Sequence, residues 1–485
     1  MGPQPIRPRS PHVVASDGTA PEPAPDPPAA SASSDSSSAS DSSAASASST
    51  SSELDLRRIL LSRGYLRLLL ISAVLGVPVS IACFFFVAAQ HQLQHWVWNA
   101  LPEAAGYDRP PWWWPLPALL LAGLVLAPIV TRMPGGGGHI PVHGFGGGPP
   151  IGPRAVPGVV LATLTTLPLG VVLGPEAPLM AVGSGLALLT LRWAGPVTDP
   201  RMTAVCATAG STAAISTILG GPVVAAVLVI EAAGFGGARL VAVLLPCLVA
   251  SAAGALVFTG FGHWTGLEIG ALSLPTVPAD VNPDAGDFLW GIPAAALVAL
   301  VVAVARGLGY RTLRWTGRHT AVRTVVCATA VGVCLAAYAV ITDRSPEEAA
   351  LSGQAALGRL AAHPQAWSVA ALVVLVLCKG LAWGIALGSL RGGPVFPAVL
   401  LGAATALACA GLPGLGATPA LALGMAAAAT AITGLPLSSA VLTVLLMGDD
   451  AYNQMPLIIA AAVVSFVVTH LVRGRESPRK DNGTS

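Results

Sequence analysis

From Gly392 to Gly448 the chain carries no Asp, Glu, Lys or Arg. A helix that crosses a bilayer needs roughly 20 consecutive apolar residues, so this stretch alone is long enough for more than two crossings. A water-soluble fold of that length would have no charged face to turn outward. Only 10% of the 485 residues are charged and 54% are apolar, against about 25% charged in a typical soluble domain. The chain is therefore read as an all-α, polytopic membrane protein, in which helices satisfy their own backbone groups within lipid. Lipid is its main surroundings, and the net charge of +2 favours neither an acidic nor a nucleic-acid partner. All seven cysteines lie in apolar segments without a Cys-x-x-Cys pair, which indicates free thiols rather than disulfides or a metal cluster.

Charge orders the rest. Residues 1–53 are rich in Pro, Ala and Ser and are expected to be a disordered cytoplasmic tail; no cleavable leader is visible there. Arg57, Arg58, Arg63 and Arg67 precede the apolar run Leu68–Ala89, which puts the N-terminus inside by the positive-inside rule. Trp96, Trp98 and Trp112–Trp114 then suggest the opposite interface. Residues 54–260 form a first membrane repeat, and an acidic connection over 261–287, with Glu268, Asp280, Asp284 and Asp287, lies outside. A second repeat covers 288–473, and a cytoplasmic tail with Arg475, Arg479 and Lys480 follows over 474–485. A start inside, a middle outside and an end inside give each half an odd number of crossings, hence opposite topologies. Inverted repeats of that kind are common among transporters.

The halves also share punctuation. Pro175, Pro178 and Gly183 line up with Pro394, Pro397 and Gly402, and Pro222 lines up with Pro436. The offsets, 219 and 214, agree as one duplication with small indels requires. Gly and Pro breaks at equivalent places point to broken helices that meet near the bilayer midplane.

Glu176 is the only charge between Ala155 and Leu191. A carboxylate at that depth costs a few kcal/mol or more, and Pro175 and Pro178 flank it as prolines flank a helix start. Free N–H groups at a helix mouth favour anions, so Glu176 competes for an anion site. The alternative is a protonated carboxyl that only caps its helix. Glycine-rich breaks at Gly135–Pro141, Gly174–Pro178 and Gly392–Pro397 are tolerated at apolar depth only if buried in protein or lining an aqueous cavity. A plain linker would also explain the first. Together the three suggest one cradle of helix N-termini around an anion.

These segments resemble the signatures of the CLC family of voltage-gated chloride channels and chloride/proton exchangers, of the prokaryotic type. They are Gly137-Gly138-His139-Ile140-Pro141, Gly174-Pro175-Glu176-Ala177-Pro178 and Gly393-Pro394-Val395-Phe396-Pro397, and the resemblance covers about residues 57–473. It implies a homodimer with one pore per subunit, no cofactor, chloride or a similar small anion as the transported ligand, and Glu176 as the gate. It implies anion-binding roles for Gly138, His139, Ile140, Val395 and Phe396. The chain departs from the family at several points. Gly138 stands where a serine hydroxyl meets the central anion, His139 replaces a glycine, and Pro394 has no N–H to offer. Ala232 takes the place of the internal proton glutamate, after Glu231. No Tyr follows Tyr452, so the family's pore tyrosine is expected to be missing, and no regulatory tail is expected after the last span.

Glu231, the sole charge between Met202 and Ala238, is either a buried protonated acid or a pore-lining carboxylate. Lys379, alone in 360–390, pairs with a carboxylate or lines the anion path. Both are candidates for a proton or pore path. The pairs His139/His143 and His91/His95 have helical metal spacing without the Glu of a His-Glu-x-x-His site, and no metal is expected. An intramembrane enzyme would need a nucleophile–base pair that is absent. The remaining competitor is a secondary transporter of fluoride or an organic anion on the same inverted-repeat plan. Channel against loosely proton-coupled exchange stays open, with Ala232 favouring loose coupling, and the expected location is the cell membrane.

Overall fold

The structure, a computed structural model, describes residues 57, 58, 60–144, 150–193, 199–219, 221–234, 237–265, 274, 277, 282–317, 319–448 and 451–476. The Ser-rich start, Glu268, Asp280 and the tail beyond Glu476 lie outside the described residues.

Helix α1 (Arg63–His95) continues through Trp96–Ala100 and Leu101–Ala104, and α2 (Pro115–Arg132) follows. Then come α3 (Val156–Thr166), α4 (Glu176–Trp193), α5 (Pro200–Ile218), α6 (Pro222–Ala233) and α7 (Gly237–Thr265). The second half contains α8 (Ala285–Thr316), α9 (Thr320–Thr342), α10 (Gln354–Ala362), α11 (Val369–Ser389), α12 (Val395–Ala408), α13 (Ala417–Thr433), α14 (Pro436–Met447) and α15 (Ala451–Glu476). Proline opens α2, α5, α6 and α14, where its missing N–H forfeits no helical bond.

The connection between the halves is shorter than expected, because α7 runs to Thr265 and α8 starts at Ala285. Asp284 and Asp287 are part of the helix start rather than a loop. They form a capping box, and Asp287 Oδ1 also accepts from the Gly416 N–H just before α13. Trp98 likewise departs from the interfacial reading. It is fully buried and donates to the Pro168 carbonyl at 2.9 Å, whereas Trp96 and Trp112 are about half exposed.

The two halves pack alike. Helix α4 lies on α5 as α12 lies on α13, and α7 packs on α1, α5 and α6 as α15 packs on α8, α13 and α14. The crossings coincide as well. A Cβ at Gly183 would lie 2.6 Å from the Ala214 Cβ, and a Cβ at Gly210 would lie 3.0 Å from the carbonyl carbon of Gly183. In the second half Gly402 and Gly424 meet the same way, with an added Cβ on Gly424 only 2.8 Å from the Ala406 Cβ. Small residues let backbones approach where lipid offers no hydrophobic drive between helices. Gly183 and Gly402 are the pair that the proline alignment matched, so the inverted repeat is carried by packing as well as by punctuation. Contacts of α2 with α9 and of α6 with α14 join the halves.

Seven described helices are long and apolar enough to cross a bilayer. Helices α6, α12, α13 and α14 are apolar but shorter. With 14 residues, α12 reaches about 21 Å, less than the roughly 30 Å hydrocarbon core. In α12 all residues from Val395 to Leu407 are buried, and in α13 all from Thr418 to Ile432, as expected of helices apolar on every face. The N-terminal end of α12 therefore lies inside protein, whereas its C-terminal end leads to exposed residues at Gly411–Gly414.

Candidate anion site

The start of α4 and the start of α12 meet head to head. Gly174 and Gly393, each just ahead of its helix, form an antiparallel bridge, with N–H···O distances of 2.7 and 2.5 Å. The bridge aims two helix N-termini at one point. Glu176 opens α4 and is fully buried, and its carboxylate crosses to the other helix. Oε1 accepts from the Phe396 N–H at 2.8 Å. Pro394, the N-cap of α12, has no N–H, so Val395 and Phe396 supply the amides at this mouth.

Oε2 has no hydrogen-bond partner among the described residues. It is wedged between two glycines: a Cβ on Gly174 would lie 2.5 Å from the Glu176 Cδ, and one on Gly393 would lie 2.6 Å from it. No other residue type fits either position while the carboxylate stays. The cradle is shaped around this side chain.

The first break lies beside the cradle. Gly135, Gly136, Gly137 and Gly138 all have positive φ, 76°, 54°, 76° and 112°, a run that only glycine adopts readily. Gly138 is therefore more than a serine without its hydroxyl, since its φ of 112° and ψ of −171° would strain any side chain. It packs beside Val159. Ile140 is half-buried against the core. His139 lines a cavity of about 160 Å³ together with Ala177, Met180, Ser184, Thr208 and Ser211, next to Glu176 in the chain. Arg391 ties this break to the third: its Nε donates to the Gly136 carbonyl at 2.9 Å.

Two sequence candidates lie elsewhere. Lys379 is fully buried, but its ammonium donates to the carbonyls of Ala349, Ala350 and Leu351 at 2.8, 3.0 and 3.2 Å. All three N–H groups are engaged, so it neither pairs with a carboxylate nor offers a donor to an anion. It braces the floor of a wider cavity, about 520 Å³, lined by Ala350 and Leu351 along with His91, Glu347 and Arg359. That cavity shares no lining residue with the one beside Glu176.

Glu231 is half-buried rather than sealed, and it repeats the Glu176 device. From α6 its carboxylate reaches the start of α14, accepting from Leu437 N at 2.8 Å and from Ser438 N and Oγ at 2.7 Å each. Glu176 and Glu231, both in the first half, thus each sit on a helix N-terminus of the second. Ser438 and Arg391 were missed in the sequence. Arg391 could have been found as the charge that borders the uncharged run at Gly392.

Residues 141–470 match the voltage-gated chloride channel family. This chain belongs to that family. Among curated proteins it is similar to YfeO, a protein named for ion transport, from Salmonella newport (strain SL254) and Salmonella typhimurium. Identity is 32% over 209 residues, 42% of this chain and 49% of the relative, so the match spans about half the length of those proteins. Among solved structures the fold is like a slow cyanobacterial Cl⁻/H⁺ antiporter, with TM-score 0.66 and 17% identity over 85% of this chain and 99% of the other. A CLC-type fluoride/proton antiporter gives TM-score 0.64 and 18% identity over 83% and 95%. These likenesses concern the fold. The channel-family signatures read from the sequence are the three breaks that the structure brings together.

Proposed function

We propose that this chain carries chloride or a similar small anion across the cell membrane through a path gated by Glu176. The observation that carries the reading is the 2.8 Å bond from the Phe396 N–H to a fully buried Glu176 carboxylate at the mouth of α12. Helix N-termini in a low-dielectric interior are ready-made anion sites, and a tethered carboxylate and a free anion compete for the same amides. Protonation of the carboxylate, whose Oε2 has no donor to replace, removes its charge and weakens its hold on the amides. The gate then yields to the permeating anion.

Coupling to protons is absent or loose in this reading. Ala232 offers no carboxyl, and Glu231 is held by three donors at the start of α14, a post that suits an anchor better than a relay. The working unit is a homodimer with one path per subunit, and both termini face the cytoplasm.

The test is anion flux with simultaneous pH recording in proteoliposomes, comparing wild type with Glu176→Gln. Wild type is expected to pass chloride with a rate that depends on pH. Glu176→Gln is expected to keep the flux, lose most of that dependence and move no protons. A well-folded Glu176→Gln protein with the original pH profile would reduce Glu176 to a helix cap. Fluoride, nitrate and an amino-acid mixture in the same assay separate an anion path from an organic-solute carrier.

A further inference from the structure

Arg391 has no role in the reading above, yet it occupies a costly position. Its side chain is only 9% exposed, and it lies between Leu390, at the end of α11, and the Gly392-Gly393 turn that holds the Glu176 carboxylate. Its Cγ would be 3.4 Å from a Cβ on Gly137, so it also touches the first glycine break. No carboxylate lies within ion-pair distance of it among the described residues. Nε donates to the Gly136 carbonyl at 2.9 Å and Nη1 to the Leu390 carbonyl at 3.1 Å. A guanidinium has five N–H groups, so two are engaged and three remain, two of them on Nη2. Nη2 keeps open surface, unlike the sealed Nε and Nη1 of Arg306.

Burying an unpaired cation is strongly unfavourable unless a counter-charge arrives. Neighbouring carbonyls satisfy part of its hydrogen bonding but none of its charge. The missing partner is an anion, and Arg391 contacts the first break at Gly136 and Gly137 and adjoins the third at Gly392. We propose that Arg391 is a donor to the permeating anion, supplying charge where Gly138 has no hydroxyl and Pro394 no N–H. This rests on the anion-transport reading and adds to it a residue that sets affinity and selectivity. The remaining N–H groups, one on Nη1 and two on Nη2, are planar guanidinium donors of the kind that meet a planar oxyanion with more than one bond. Nitrate should therefore gain more from Arg391 than a spherical halide does.

Flux of chloride and of nitrate through the full-length protein in proteoliposomes tests this, with wild type, Arg391→Lys and Arg391→Met side by side. Arg391→Met, which keeps the stem and removes the charge, is expected to weaken apparent affinity for both anions at least tenfold. Arg391→Lys keeps the charge without the planar donors, so chloride flux should persist while the nitrate-to-chloride ratio falls. Folded variants that keep the wild-type affinity and ratio would overturn the proposal and leave the anion path intact. Arg391→Met also frees the Gly136 carbonyl and can fail to fold for that reason alone. In that case the Arg391→Lys ratio and wild-type crystals grown in bromide decide the matter. Anomalous bromide density in hydrogen-bonding contact with Nη2 supports it. Density only at the amides of Val395 and Phe396, or an unchanged ratio, refutes it. A wild-type protein that passes no anion removes the underlying reading and this proposal with it.

Discussion

Gly393→Ala tests the gate without altering the gating residue. The backbone at Gly393 is outside the left-handed region, so alanine meets no torsional obstacle there. Its methyl would stand 2.6 Å from the Glu176 Cδ and 3.1 Å from the Ala177 N. Carbon atoms rest at about 3.5–4.0 Å, so the carboxyl group must retreat by about 1 Å. A 2.8 Å bond to the Phe396 N–H stretched by that amount is no longer a hydrogen bond. Hydrogen bonds to charged groups contribute about 1.5–3 kcal/mol, and each 1.4 kcal/mol is a factor of ten. Occupancy of the α12 mouth by Glu176 should then fall about ten- to a hundredfold. Chloride flux near neutral pH is expected to rise and to flatten with pH, approaching the Glu176→Gln profile with the carboxylate still present. The assay is flux into liposomes from pH 4.5 to 7.5. The added methyl could also narrow the path, so Gly393→Ala/Glu176→Ala is measured in parallel. A conducting double variant beside a single variant with unchanged pH dependence would refute the account of Glu176 as the occupant of this site.

Three further outcomes are expected. Lys379→Met should lower the thermal midpoint of the detergent-purified protein, by about 2 kcal/mol in stability. Three charged hydrogen bonds are lost, relief from burying the ammonium offsets part of that, and water in the neighbouring cavity can reach the carbonyls; an unchanged midpoint contradicts the bracing role. Gly402→Val should abolish a monodisperse product, because a Cβ there falls 3.0 Å from the carbonyl carbon of Gly424 and forces α12 off α13, whereas Gly307→Ala meets open space and should be neutral or better by up to about 1 kcal/mol. In a cysteine-free background, an impermeant maleimide added outside cells should label Asn282→Cys and miss Ser477→Cys. Labelling of both from one side would sink the inverted topology.

The architecture was legible because its determinants are compositional and periodic. Charge-free runs marked the helices, prolines marked their starts, and the equivalence of Gly183 with Gly402 survived as two close crossings. Glu176 was legible for a related reason, since a lone carboxylate in lipid has few places to be. What the sequence withheld were distances across the chain. It placed Glu176 at the mouth of its own helix, and only the fold shows the carboxylate reaching the partner helix in the other half, 220 residues away in sequence. Lys379 was read as pairing with a carboxylate or lining the anion path, because a lone lysine in an apolar run gives no sign of which partner it has. Three successive carbonyls at Ala349–Leu351 claim it instead, and carbonyls leave no trace in an amino-acid string. Gly138 was read as a lost serine because side chains are what a sequence shows; its φ of 112° is a backbone demand that composition does not reveal. The same blindness hid Arg391 among ordinary boundary arginines. Its burial, and the absence among the described residues of a carboxylate to receive it, set it apart from boundary arginines such as Arg109 and Arg344, which have carboxylate partners.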